Sequence, residues 1–142
     1  MAAEKVTSPQ EIATVAGRLE IADKEELPSG SYAHRVLLKG KVIAELVGNN
    51  SVFFEDAYPD DKNARLVLLA LGTGGSSCPN YFQILEIKPN GSTLLTDKFG
   101  TCSEEYEANY RDGVWEISIP PFVDNPRKWE RWQYCSGKLT KD

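Results

Sequence analysis

The chain is poor in the residues that metal sites and nucleophilic catalysis most often use. It has one histidine, His34, and three cysteines, Cys78, Cys102 and Cys135. None of the cysteines forms a CxxC pair, and one histidine cannot complete a zinc set, so the composition argues against a zinc site. Long hydrophobic runs are also missing. The longest is Leu66 to Leu71, six residues, whereas a membrane-spanning helix needs about twenty. Positive charge is in deficit: 16 Lys and Arg against 21 Asp and Glu leave a net charge of −5. A nucleic-acid binder needs a basic surface to displace counterions, and an anionic membrane attracts the same kind of surface, so both partners are disfavoured. No apolar segment of signal-peptide type follows Met1-Ala2-Ala3-Glu4-Lys5. Two readings remain, a cytoplasmic chain or a mature periplasmic or secreted domain behind an added start methionine. In the second, Ala2-Ala3 is the remnant of a small-residue cleavage site.

What is present reads as one β-rich domain over residues 1–142, with residues 1–8 as a flexible arm. Ser8-Pro9-Gln10-Glu11 has the form of a capping box, and Ile12, Val15, Ala16 and Leu19 follow at helical spacing. This predicts a short helix over residues 9–16 that Gly17 stops. From Tyr32 onward the pattern is short β runs between turn residues. Lys39-Gly40-Lys41 is a tight hairpin, Ala57 to Asn63 a polar loop, and Leu66 to Leu71 a strand buried on both faces. Asn90-Gly91 predicts a type I′ hairpin turn, which needs positive φ at both residues. Arg111-Asp112-Gly113 predicts another turn. It leads into a strand where Trp115, Ile117 and Ile119 face the core. Lys128 to Cys135 reads as the last strand. About nine strands with short turns predict an antiparallel meander forming a sandwich or a partly open barrel.

Cys78 precedes the Tyr81 strand and Cys102 follows its return strand, so the Asn90-Gly91 turn brings the two outer ends within disulfide reach. The competing reading is a pair of small buried thiols. The residues Gly74-Gly75-Ser76-Ser77-Cys78-Pro79, Tyr81 and Phe99-Gly100-Thr101-Cys102-Ser103 resemble a set of bacterial exported proteins. These share a GGxxCP…FGTCS signature around a β-hairpin and have no settled activity. The resemblance covers about residues 66 to 119, and FGTCS is its most specific part. It implies a periplasmic or secreted β-rich domain with a Cys78–Cys102 bridge, and it assigns Cys135 no place.

Candidate chemistry is sparse. Gly72 to Ser77 is glycine-rich but lacks the Lys-Ser/Thr of a phosphate-binding loop, and reads as a connection. Any Ser-His or Cys-His catalysis would have to use His34, which, at the start of a predicted strand, reads instead as a surface or edge-strand residue. Glu55, Asp56, Asp60, Asp61, Glu104 and Glu105 could serve acid–base work, and Asp56 with Asp60 and Asp61 a calcium ion, without EF-hand spacing. As loop carboxylates they read as solvated charge. No cofactor is implied, and an enzyme is the less favoured reading. The candidate contact surface is Trp129, Arg131 and Trp132 in the tail, together with Ser29, Gly30 and Tyr32. Against this stands the reading in which Trp132 and Tyr134 complete the core and Trp129 is a lid carrying a stacked Arg131. The leading expectation is a non-enzymatic envelope or secreted protein that acts by protein–protein contact, as an inhibitor or immunity protein does. Loops such as Leu27 to Tyr32 or Gly72 to Ser77 could then plug a cationic partner. A hydrolase using acidic residues and a structural or antigenic envelope component are the alternatives.

Overall fold

The computed structural model describes residues 4–6, 10–122 and 128–142. These residues form fourteen strands and no helix. Glu4 and Lys5, expected in a loose arm, make a short edge strand, β1 (Glu4–Lys5). The N-terminal sheet contains β2 (Glu11–Thr14), β3 (Gly17–Ile21), β4 (Glu25–Glu26), β5 (Tyr32–Leu38) and β6 (Lys41–Val47). In it β3 and β4 pair with successive parts of β5, and β6 pairs along the other side. The central sheet runs in the order β1, β7 (Ser51–Tyr58), β8 (Leu66–Gly72), β9 (Asn80–Ile87), β10 (Thr93–Leu95). The C-terminal sheet is a four-strand meander, β11 (Glu107–Arg111), β12 (Val114–Ile119), β13 (Glu130–Cys135) and β14 (Lys138–Lys141).

The alternation along β8 explains how the sheets stack. Val67, Leu69 and Leu71 enter one core with Leu19, Ile21, Val36 and Leu38 of the N-terminal sheet. Leu66 and Leu68, from the opposite face, enter a second core with Trp115, Ile117, Trp132 and Tyr134 of the C-terminal sheet. Successive strand residues point to opposite sides, so an unbroken apolar run is what a strand between two cores requires. The central sheet is therefore the middle of three layers. An irregularity between Phe54 and Asp56 shifts the phase of β7. It sends Phe54 and Ala57 to the first core and Tyr58 to the second.

Four local expectations are corrected. The helix predicted for 9–16 is replaced, over its described part, by β2. There Ile12 and Thr14 are buried while Glu11 and Ala13 are exposed; Ser8 and Pro9 lie outside the described residues. Ile12 pairs directly with Leu19 across the β2–β3 hairpin. A seven-residue spacing that two turns of helix would produce thus arises from cross-strand neighbours. Gly17 allows the reversal with φ of 121°. At the Asn90-Gly91 turn only Gly91 has positive φ, 89°. Pro89 fixes φ near −65° and suits position i+1 of a type I turn. The Gly91 N–H donates to Lys88 O, and the Lys88 N–H donates to Ser92 O. The hairpin therefore closes on a three-residue loop ending in a left-handed glycine. The predicted loop at 57–63 begins later, because Ala57 and Tyr58 belong to β7. Finally, β13 is not the last strand. Ser136 and Gly137, with φ of 50° and 81°, turn the chain into β14.

Candidate functional site

The disulfide region is the most firmly built surface feature. Cys78 and Cys102 are bonded, with Sγ–Sγ 2.01 Å and Cα–Cα 4.7 Å. After β10 the chain runs back along β9. The Ile84 N–H donates to Thr96 Oγ1, and Phe82 and Phe99 exchange backbone bonds of 2.8 and 2.9 Å. Gly100 lies beside the Phe82 ring at φ 132°, a backbone conformation that L side chains rarely adopt, so glycine suits this position. The Thr101 hydroxyl donates to Pro120 O at 2.5 Å, and the Asn80 amide donates to Ser103 O at 3.3 Å. The glycine-rich loop is closed from within. The Thr73 hydroxyl donates to Cys78 O at 2.6 Å and the Thr73 N–H to Pro79 O at 3.0 Å. Its backbone leads into the bridge and on into β9 rather than a helix. The half-buried bridge fits an oxidising compartment, and no helix among the described residues is long and apolar enough to cross a membrane. Cys135 is a free, exposed thiol on β13.

The tail surface divides between core and solvent as strand alternation requires. Trp132 and Tyr134 are buried, Trp132 with its ring centroid 5.4 Å from that of Phe99. The Tyr134 hydroxyl donates to Glu86 Oε1 on the central sheet. Burial first, then that carboxylate, raises the Tyr134 pKa. Trp129 is 49% exposed. It lies in an open concavity of about 700 Å³ with Ser118, Lys128, Glu130, Arg131, Lys141 and Asp142. Arg131 pairs with Asp142, and Lys141 pairs with Glu130 while lying over the Trp132 ring. The expected stacking of Arg131 on Trp129 is thus replaced by an ion pair with Asp142. Ser29 and Gly30 form an exposed tight turn between β4 and β5, held by the Leu27 N–H to Ser31 O at 2.7 Å. Tyr32 carries the Lys24 ammonium 4.3 Å from its ring centroid. These three residues sit on the N-terminal sheet and the Trp129 concavity on the C-terminal sheet, so the two halves of the expected contact surface do not meet.

No family model, curated protein or solved structure matches the chain. Its site must be read from its own side chains.

His34 is not at the surface. It is 5% exposed on β5, between β4 and β6, and shares the inward face with Val36 and Leu38. Burial first, then the charge of Lys24, lowers its pKa. Asp56 is likewise buried rather than solvated. Its carboxylate accepts the Tyr106 hydroxyl at 2.7 Å and the Ala57 N–H at 3.0 Å. Desolvation outweighs these bonds and raises the Asp56 pKa, while burial and Asp56 together raise that of Tyr106. Asp60 accepts the Lys62 and Asn63 N–H groups at 2.9 Å each and so caps its own loop. The structure assigns Asp56 and Asp60 to separate structural roles rather than to one calcium site. Among the described residues no three His, Cys, Asp or Glu gather into a group that could hold a metal ion. Glu55 and Glu104 line one open cleft of about 300 Å³ beside Phe53, where Lys5 pairs with Glu55 at 3.5 Å. The burial of His34 and Asp56 had no signal in the sequence. Alternation gives the face of a strand, not whether another sheet covers its end.

Proposed function

We propose that the chain is a non-catalytic binding domain of the bacterial envelope or a secretion, acting by contact with a protein partner through the Trp129 concavity. The observation that carries this reading is Trp129 itself, 49% exposed beside Arg131 in a concavity with ion-paired walls. An exposed indole costs solubility without adding to the core, and Trp and Arg dominate binding hot spots. Two features support an exported setting. One is the Cys78–Cys102 bridge; the other is the export-type GGxxCP…FGTCS pattern that spans it. The net charge of −5 favours a cationic partner, as for an inhibitor or immunity protein directed at a secreted hydrolase. The test is affinity capture from bacterial envelope and culture supernatant with the disulfide-intact chain, beside Trp129→Ala and Arg131→Ala. A partner held by the parent chain should be weakened at least tenfold by Trp129→Ala. Equal capture by all three proteins would refute this surface.

A further inference from the structure

A second cleft, of about 340 Å³, opens between the N-terminal and central sheets and is independent of the Trp129 surface. Its polar lining is Gln10, Asp23, Lys24, His34, Asn50 and Ser51. Two of these side chains are left incomplete by the fold. His34 is 5% exposed, and its Nδ1 is fully buried with no hydrogen-bond partner. No described residue holds the other ring nitrogen either, so the neutral imidazole keeps an uncommitted N–H. Buried polar groups in folded proteins are nearly always paired, and an orphan marks a place where something else supplies the partner. Lys24 is the second. Its ammonium rests over the Tyr32 ring and donates to Asn50 O at 3.4 Å. No ion pair holds it among the described residues, and the carboxylate of the next residue, Glu25, pairs with Arg35 at 2.6 Å.

We propose that this cleft binds a small monocarboxylate, with Lys24 supplying the charge and His34 and Asn50 the hydrogen bonds. An ammonium without an ion-pair partner, next to an uncommitted imidazole N–H and an amide, is a set of donors waiting for an acceptor. Lys24 is the one cation of the lining, and Asp23 stands in the same lining as its one carboxylate. A single negative charge therefore suits it better than a dianion such as phosphate. The volume corresponds to roughly ten waters of liquid, enough for a short-chain acid.

Because His34 is the only histidine, its Cε1–H NMR cross-peak is assigned without ambiguity. Acetate titrated into the disulfide-intact chain at pH 7, with chloride holding ionic strength constant, should move that peak along a saturating curve in the millimolar range. Lys24→Gln should weaken the binding at least tenfold, and Lys24→Arg should retain it. Inorganic phosphate should bind more weakly than acetate. A non-saturating shift equal to that produced by chloride would overturn the proposal. So would saturation unchanged by Lys24→Gln, while tighter binding of phosphate would overturn the choice of a monocarboxylate.

Discussion

Trp115 and Trp129 show how one residue type takes opposite roles. Trp115 is fully buried on β12, and its indole N–H has no partner, so what holds it is packing against Ile117-side neighbours of the second core rather than a hydrogen bond. Trp115→Ala should cost about 3–5 kcal/mol and lower the urea midpoint steeply, whereas Trp129→Ala should stay within about 0.5 kcal/mol. A reversed order would mean that Trp129, not Trp115, is the core residue. Asp56 predicts a pH dependence of definite sign. Its folded pKa is raised above the ordinary value of 3.8. Its contribution to stability is therefore fully present below that value and is lost as pH rises through the folded pKa. Asp56→Asn keeps an acceptor for the Tyr106 hydroxyl and carries no charge. The variant should lack this acid-side gain, as thermal melts across pH 3 to 7 can show. Identical profiles for both proteins would remove Asp56 as the source.

At the scale of elements, β8 is the strand on which the layering depends. Leu68 belongs to the core shared with the C-terminal sheet and Leu69 to the core shared with the N-terminal sheet, and both are fully buried. Leu68→Ala and Leu69→Ala should each cost about 2–5 kcal/mol in chemical denaturation. In a two-layer sandwich one of the two would face solvent and cost far less, so a mild effect at either position would rule out the middle-layer placement. The turns were legible to different degrees. Lys39-Gly40 and Asp112-Gly113 take the left-handed pair of conformations that a two-residue hairpin needs, with φ of 52° and 78°, then 53° and 81°. Asn90-Gly91 carries the same dipeptide logic but is overridden by Pro89 just before it. The β2–β3 hairpin carries a helical signature because its cross-strand partners Ile12 and Leu19 are seven apart, a spacing that a helix also satisfies.

At the scale of the whole molecule, the Cys78–Cys102 bridge closes a loop with a sequence separation of 24. On the chain-entropy account this constrains the unfolded state by about 3.5 kcal/mol. Reduction, or Cys78→Ala with Cys102→Ala, should lower stability by about that amount while the native β signal in circular dichroism persists without denaturant. No change in the denaturation midpoint on reduction would show that the bridge does not constrain the chain. The sequence by itself determined the β class, the doubly buried β8, the inward face of β12 and the proximity of the two cysteines. Each of these follows from alternation and turn chemistry, which act between near neighbours in the chain. Only the tertiary structure decided that three sheets stack around two cores, that Trp132 is covered while Trp129 is not, and that His34 and Asp56 are buried. These outcomes depend on which sheet lies over a given face and where its edge ends. Strand alternation says which side a residue points to, but coverage is a contact between segments far apart in the chain.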